Sequence, residues 1–202
     1  LRLGWSHGDD EIIPTAQAIE WFNLENIGRS PARLDFKKLD SLNAHYIRAM
    51  DNRALVDEVM AVLAREVPPR TLGEKAKARL MAAMPGLKER AKTLVELAQA
   101  AEFLFTDGPR ALDEAARKSL SPEARGVISR ALPVLQAADW TAKALEAAAR
   151  AFADAEGSKL GQVAQPLRAA LTGKGVSPPL FDMMEVLGRQ ESLARLEAYT
   201  NP

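Results

Sequence analysis

Apolar residues recur at helical spacing through most of the chain. Between residues 50 and 202 they return every three or four positions, as at Leu55, Val56, Val59, Met60 and Leu63, which is typical of a helix with one face in a core. Alternating β-branched or aromatic runs bounded by turns, the usual signal for strands, are absent from the sequence. The pattern therefore predicts an all-α fold.

Proline and glycine mark the expected helix ends. Serine precedes proline where the serine can cap a helix and the proline can occupy its first turn, at Ser30-Pro31, Ser121-Pro122 and Ser177-Pro178. Pro85-Gly86 predicts a break, followed by a new helix that carries Lys88, Arg90 and Lys92. Together these signals predict about ten short helices.

The first 50 residues differ from the rest. They predict a turn at Gly4–Asp9, a short helix that ends near Phe22 and a longer helix over Leu39–Arg48. Residues 51–118 and 119–202 predict two consecutive small helical bundles, with the turn-rich stretch 106–110 near their junction. Since the chain begins with Leu1-Arg2-Leu3 and no methionine, we expect a piece of a longer protein.

Composition narrows the functional classes. Among 202 residues, 27 Lys plus Arg balance 27 Asp plus Glu, which excludes binding driven by a large uniform field. The absence of cysteine excludes a disulfide framework, a thiolate nucleophile and a cysteine zinc site, and it favours a cytoplasmic location. The sequence contains neither a membrane-spanning apolar run nor a signal-peptide pattern.

Residues for a complete active site are scarce, because the chain has two histidines and none of the common nucleophile, zinc-protease or phosphate-loop motifs. His7 beside Asp9 is a candidate acid/base pair, with a solvated turn as the alternative. His45 is a candidate RNA-backbone contact, with a polar helix face as the alternative. We expect no catalytic residue and no metal site in this chain.

Charge is unevenly distributed along the neutral chain. Residues 157–181 contain Lys159, Arg168 and Lys174 but no Asp or Glu. Polar side chains and accessible backbone there can bond a nucleotide, and Pro178 and Leu180 offer apolar surface to a base. The alternative is a solvated, glycine-rich connection. Two further basic clusters are candidate RNA contacts or solvated helix faces: Lys88, Arg90 and Lys92, and Lys75, Lys77 and Arg79.

Trp5, Trp21 and Trp140 are candidates for stacking on bases. Each lies in a stretch where apolar residues recur at helical spacing. Nothing in the sequence places any of them beside residues 157–181, the segment without Asp or Glu. We therefore predict that the three tryptophans anchor the core.

Six segments resemble, in order, the C-terminal, anticodon-binding half of bacterial glutamyl-tRNA synthetases. The resemblance covers essentially the whole chain, and its segments are Leu3–Asp9, Ile27–Leu39, Leu42–Arg48, Leu87–Leu94, Asp139–Thr141 and Gly161–Gly173. It implies a partial stem-contact region over residues 1–50 and a helical anticodon-binding region over 51–118 and 119–202. The family's catalytic domain lies upstream, and its two ATP-binding motifs do not occur here.

The resemblance further implies a ligase that attaches glutamate to tRNA. No cofactor is expected in this chain, since the ATP and magnesium sites belong to the full-length enzyme. The implied partners are glutamate-accepting tRNA, with charging of glutamine-accepting tRNA left open, and the catalytic domain of the same protein. A monomer is expected.

The resemblance also implies which residues recognise the anticodon. Arg90 matches the arginine that reads the third base, whereas Arg168 and the segment Ser177, Pro178 and Leu180 match the positions that handle the first and second bases. Lys88, Lys92, Lys159, Lys174 and Arg48 are candidate tRNA backbone contacts. The alternative function is a helical protein-interaction module with solvated basic faces.

Overall fold

The computed structural model describes residues 4–28 and 35–200, and within them the chain is helical without strands, as the sequence predicts. One short 3-10 helix, Glu102–Leu104, follows the fifth α-helix. The α-helices in chain order are α1 Thr15–Trp21, α2 Phe36–Ala49, α3 Asn52–Ala64, α4 Glu74–Lys88, α5 Leu94–Ala101, α6 Glu114–Ser119, α7 Pro122–Ala137, α8 Ala142–Ala155, α9 Leu160–Thr172, α10 Leu180–Leu187 and α11 Arg189–Glu197.

Short polar side chains begin several of these helices by accepting backbone N–H groups that have no partner within the helix. The predicted start at Ser121-Pro122 is confirmed, because the Ser121 hydroxyl accepts from the Ala124 N–H and Pro122 is the first residue of α7. The Ser30-Pro31 prediction lies outside the described residues. The other side-chain caps are Asp35, Asp51, Thr93, Asp113 and Thr141.

The prediction that Ser177-Pro178 begins a helix is wrong. Helix α10 begins at Leu180, after Pro179, and no side chain caps it. The Ser177 hydroxyl instead lies against the backbone of its own loop and the Arg168 side chain, so a tertiary contact replaces the local cap.

The predicted break at Pro85-Gly86 is also wrong. Helix α4 runs through Pro85 to Lys88, which leaves Arg90 and Lys92 in the turn before α5. A Cβ atom at Gly86 would lie 3.7 Å from Pro179 and 3.9 Å from Pro178 and Met183. Helix α4 continues through Pro85 where it packs against α10. We infer that this packing outweighs the free-energy cost of a proline inside a helix.

The cluster of Lys75, Lys77 and Arg79 is only partly a solvated basic face, because Lys75 is exposed and Lys77 is half-buried. Arg79 is buried, and its guanidinium donates to Asp107 Oδ1 at 2.7 Å and to the Leu187 carbonyl at 3.1 Å. Lys75 Nζ lies 2.7 Å from Asp107 Oδ2. Hydrogen bonds from Lys75 and then Arg79 lower the pKa of the Asp107 carboxyl to about 2, so these charges tie α4 to the 106–110 turn.

The N-terminal helices differ in how they pack. Helix α1 ends at Trp21, next to the predicted end at Phe22, and buries no residue. Helix α2 begins at Phe36, three residues before the predicted start at Leu39, and buries Ala44 and Ile47 against the rest of the chain.

One continuous cluster of buried apolar side chains extends from Ile47 to Leu196. Helices α3, α4 and α5 pack together, and so do α7, α8 and α9. Helix α6 packs on α9, and α4 packs on α10. The division into units at residues 51–118 and 119–202 stays a prediction.

Candidate nucleic-acid interface

Helix α9 carries Arg168 and ends in a left-handed turn. Gly173 has φ of +71°, a conformation that L side chains rarely adopt. A Cβ atom there would lie 2.3 Å from the Ala111 carbonyl oxygen. The Asp113 N–H donates to the Gly173 carbonyl at 2.9 Å, so the helix end is fixed against the segment before α6.

The residues from Gly173 to Pro179, here named the 173–179 loop, connect α9 to α10. The Thr172 hydroxyl donates to the Arg168 carbonyl at 2.8 Å and accepts from the Lys174 N–H at 3.1 Å. Gln165 donates its side-chain N–H to the Gly175 carbonyl at 2.9 Å. A Cβ atom on Gly175 would lie 2.5 Å from Ala115 Cβ, so this loop packs closely onto α6.

Ser177 is the centre of the site and is 7% exposed. Its hydroxyl accepts from Arg168 Nη1 at 2.8 Å and donates to the Pro178 carbonyl at 2.9 Å. The same Arg168 nitrogen lies 3.1 Å from the Ser177 and Pro178 carbonyl oxygens. Arg168 therefore holds the second half of the loop onto α9.

Arg90 reaches the same point from a distant part of the sequence. It lies in the turn after α4, and its Nη1 donates to the Ser177 carbonyl at 3.0 Å. The structure thus brings Arg90, Arg168, Ser177 and Pro178 into one cluster. Nη1 is the only side-chain nitrogen of Arg90 with a hydrogen bond among the described residues, although the guanidinium carries five N–H donors.

Neither Arg90 nor Arg168 has a carboxylate partner within the described residues. Burial lowers the pKa of the Arg168 guanidinium, and the charge of Arg90 lowers it further. The Arg168 guanidinium nevertheless stays charged at neutral pH. Six other arginines each have a carboxylate partner: Arg70 pairs with Glu66 and Glu102, Arg79 with Asp107, Arg110 with Glu102, Arg130 with Glu156, Arg150 with Glu146 and Arg195 with Glu191. The Arg90–Arg168 pair therefore presents uncompensated positive charge.

The apolar surface of the site differs from the expected one. Pro178 is buried and Leu180 is 4% exposed, so neither offers a free face in this structure. Val176 is 78% exposed and Pro179 is exposed. These two side chains supply the apolar surface of the 173–179 loop.

An open groove of about 510 Å³ adjoins Pro179 between α4 and α10. Pro85 and Gly86 line one wall, whereas Asp182 and Glu185 lie on the other side. Because the groove carries these carboxylates, the positive surface of the arginines does not extend into it.

Three of the candidate backbone contacts lie around the end of α2. Lys88 Nζ donates to the Met50 carbonyl at 3.0 Å, and the Asn43 amide donates to the Lys92 carbonyl. Arg48 is exposed in the last turn of α2. Since Lys88 and Lys92 flank Arg90 in sequence, this basic group continues from the arginine pair.

The remaining two candidate lysines are separated. Lys174 is exposed on the 173–179 loop. Lys159 precedes the first residue of α9, and nine residues of helix place its backbone about 13 Å from that of Arg168 along the axis. Lys174 lines a cavity with Thr172, Arg110 and Glu102, whereas Lys159 lies at the opposite end of α9.

The histidines form no catalytic pair. His7 stacks on Trp21 with ring centroids 4.1 Å apart, and its Nδ1 lies 3.9 Å from Asp10, not Asp9. His45 meets the Tyr46 ring edge to face. No group of three or more His, Asp or Glu residues suited to a metal ion occurs within residues 4–28 and 35–200. Over the same residues, no helix is both long and apolar enough to cross a membrane.

The tryptophans serve packing, and none lies in the arginine cluster. Trp5 is 4% exposed. Trp140 packs against the core and donates its indole N–H to the Met184 carbonyl at 3.0 Å. Trp21 is half-buried against His7.

Sequence reasoning missed the residues that shape the loop, namely Gln165, Thr172, Gly175 and Val176. In the sequence, Gly173 and Gly175 are visible only as a turn signal. Gln165 lies ten residues before Gly175 on a helix, so its contact has no short-range sequence pattern. The available indications were its place among residues 157–181, which contain no Asp or Glu, and in the segment Gly161–Gly173 that carries the family resemblance.

Comparison with known proteins supplies the family context. The model of a family described as "Anticodon binding domain" matches residues 54–200. Glutamate–tRNA ligase 2 of Brucella ovis is 55% identical over 201 residues, which cover 97% of this chain and 42% of that protein. The chain therefore spans less than half the length of this curated relative.

Two solved structures share the fold. A glutamate tRNA ligase from Elizabethkingia meningosepticum, crystallised with its amino acid, superposes with a TM-score of 0.81 at 28% identity and covers 98% of this chain. A glutamate-tRNA synthetase from Elizabethkingia anophelis superposes with a TM-score of 0.77 at 26% identity. This chain covers 39% and 38% of the two solved chains.

Proposed function

The chain belongs to the anticodon-binding domain family, and from this membership we propose that it binds the anticodon loop of a tRNA. The contact surface consists of Arg90, Arg168 and the 173–179 loop, with Lys88, Lys92, Lys174 and Arg48 along the RNA backbone. Lys159 lies about 13 Å along α9 from Arg168, and its contact with the RNA backbone stays a prediction.

One observation supports this proposal most strongly. Two arginines from different parts of the chain converge on the Ser177 carbonyl, at 3.0 and 3.1 Å, without a carboxylate partner among the described residues. Uncompensated guanidinium groups beside an exposed loop suit a phosphate backbone and the acceptor edges of bases. An exposed Val176 side chain beside them offers a surface for an unstacked base.

Arg90 is our candidate for reading the third anticodon base. Cytosine presents acceptors at O2 and N3, which match a side chain that only donates. Guanine presents N–H donors on the same edge, so a buried mismatch costs roughly 1–3 kcal/mol. A glutamate anticodon ends in cytosine and a glutamine anticodon ends in guanine, so we expect a preference for glutamate tRNA.

The wider activity is also a proposal. The relatives are named as glutamate–tRNA ligases, and we propose that this chain supplies tRNA selection to such an enzyme in the cytoplasm. Glutamate, ATP and magnesium would bind to a catalytic domain outside these residues. The assignment of Ser177, Pro178 and Leu180 to the first two anticodon bases stays a prediction. Pro178 and Leu180 are buried, and they must become accessible before they can contact a base.

The experiment that tests the proposal measures dissociation constants of the full chain for two hairpin RNAs at several salt concentrations. The hairpins differ only at the third anticodon base, cytosine or guanine. We expect tighter binding of the cytosine hairpin, with log K falling by about 0.7 per contacted phosphate for each tenfold rise in salt. A flat salt response would favour the protein-interaction module.

The Arg90→Gln variant sharpens the test, because glutamine both donates and accepts. We expect it to reduce the preference for cytosine about tenfold and to weaken overall binding less. Arg150→Gln, at an exposed ion pair on α8, is the control and should leave both values unchanged. Equal losses for the two hairpins would make Arg90 a phosphate contact only.

A further inference from the structure

Gln165 is the residue that fixes the middle of the 173–179 loop. Its side-chain N–H donates to the Gly175 carbonyl at 2.9 Å, and it is half-buried on α9. On the opposite side, Gly175 abuts Ala115 of α6 so closely that a Cβ atom would lie 2.5 Å from Ala115 Cβ. Gly175 is therefore held between α6 and the Gln165 amide.

The other anchors act at the two ends of the loop. Thr172 and Asp113 hold the start, at Lys174 and Gly173. Arg168 holds the end, at Ser177 and Pro178. Among the described hydrogen bonds, the one from Gln165 is the only one to the backbone of Gly175 or Val176.

Gly175 and Arg168 together fix where the Ser177 carbonyl lies, because only Val176 separates Gly175 from Ser177 and Arg168 Nη1 lies 3.1 Å from that carbonyl oxygen. That carbonyl is the acceptor for Arg90, whose side chain makes no other hydrogen bond among the described residues. Without this acceptor, the long, exposed Arg90 side chain is free to populate several rotamers. Its alignment toward a base therefore depends on the loop.

We propose that Gln165 is a positioning residue for recognition of the third anticodon base. It holds Gly175 so that the Ser177 carbonyl fixes the Arg90 guanidinium. Recognition of the third base by Arg90 is thereby coupled to the loop that serves the other two bases. This inference rests on the proposed function, and it assigns Gln165 no contact with RNA.

The test uses the Gln165→Leu variant of the full chain, which keeps the side-chain size but removes the donor. The measured quantity is the ratio of dissociation constants for the guanine and cytosine hairpins. Loss of one aligning hydrogen bond should reduce this ratio about threefold to tenfold. Gln162→Leu is the matched control on α9, because Gln162 binds only the backbone N–H of Lys159, and it should leave the ratio unchanged.

A double-variant cycle separates positioning from a general structural effect. In the Arg90→Gln background, Gln165→Leu should not change the ratio further, because the group that it positions is gone. A ratio that is unchanged in the single Gln165→Leu variant overturns the inference. An additional reduction of the ratio in the double variant, equal to the reduction in the single Gln165→Leu variant, also overturns the inference.

The remaining outcomes are also decisive. If Gln165→Leu fails to fold by circular dichroism, Gln165→Glu replaces it, since a carboxylate cannot donate to the Gly175 carbonyl and should reduce the ratio similarly. If the unaltered chain binds both hairpins equally, both this inference and the reading role of Arg90 fail. If it binds neither hairpin, the proposed function itself fails.

Discussion

At the scale of single residues, Arg195 and Arg168 illustrate two uses of a guanidinium that is withdrawn from water. Arg195 on α11 is 0% exposed and donates to the Leu171 and Thr106 carbonyls at 2.6 and 2.8 Å, while Glu191 balances its charge at 2.6 Å. Arg168 also binds carbonyls, but no described carboxylate balances its charge. The first arrangement contributes to the fold, and the second leaves charge available for a ligand.

Replacing Arg195 with methionine should strongly destabilise the fold. The change would leave two carbonyl groups without their partner and Glu191 with only the Gly108 N–H, and breaking a buried ion pair in this way costs about 3–5 kcal/mol of unfolding free energy. Urea denaturation followed by circular dichroism measures the loss.

Arg150→Met is the matched control, because Arg150 and Glu146 form the same i, i+4 pair on an exposed face of α8. Its cost should stay below about 0.5 kcal/mol. Similar losses in the two variants would mean that the buried contacts of Arg195 contribute nothing beyond an ordinary surface pair.

At the scale of elements, helix ends decide where the site residues lie. Two glycines end helices with similar backbone angles: Gly157 after α8 with φ of +64°, and Gly173 after α9 with φ of +71°. A Cβ atom at Gly157 would meet open space, whereas at Gly173 it would collide with the Ala111 carbonyl oxygen. Only the second glycine is also required by packing.

Alanine at these two positions separates conformational strain from collision. Gly157→Ala should cost about 1–2 kcal/mol of unfolding free energy, which is the price of a left-handed alanine. Gly173→Ala should cost at least about 1 kcal/mol more, because Ala111 and the 173–179 loop must move, and it should weaken hairpin RNA binding as well.

Thermal or urea unfolding of the two variants, beside RNA binding at fixed salt, checks this difference. Equal losses of unfolding free energy in the two variants would show that the segment before α6 moves away from the added methyl group at no measurable cost. Unchanged RNA binding by a destabilised Gly173→Ala variant would show that the 173–179 loop tolerates displacement.

Periodicity predicts helices such as α3 and α7 well, because local amphipathicity and tertiary burial agree there. It fails at Pro85-Gly86 and Ser177-Pro178, where contacts with sequence-distant residues override the local signal. The candidate site shows the same limit. The basic composition of residues 157–181 is visible in the sequence, whereas the approach of Arg90 to Ser177, 87 residues away, is a product of the fold, and no short-range pattern encodes it.

At the scale of the whole molecule, the predicted helical units share contacts along one side. Arg79 of α4 donates to the Leu187 carbonyl of α10, and Arg195 of α11 donates to the Thr106 carbonyl. Buried apolar residues of α3–α5 and α7–α10 belong to the same cluster. Anticodon recognition would need Arg90 and Arg168 at fixed positions relative to each other. The shared packing of the two helical units holds them in that arrangement.

We therefore predict that residues 51–200 unfold as one cooperative unit. Amide hydrogen exchange measured in increasing urea should give equal opening free energies for the most protected amides of α3–α5 and of α7–α9. Helix α1, which buries no residue, should exchange at lower urea and serves as the internal reference for local opening.

A core substitution in one unit makes the prediction decisive. Leu97 of α5 is fully buried, so Leu97→Ala should cost about 2–5 kcal/mol. In a single cooperative unit, the opening free energies of α3–α5 and α7–α9 fall by the same amount, because both report the same global unfolding. A loss confined to α3–α5 would instead show two independently stable units. Arg90 and Arg168 would then belong to two units that can separate. Their shared hydrogen bonds to the Ser177 carbonyl would form in only part of the population.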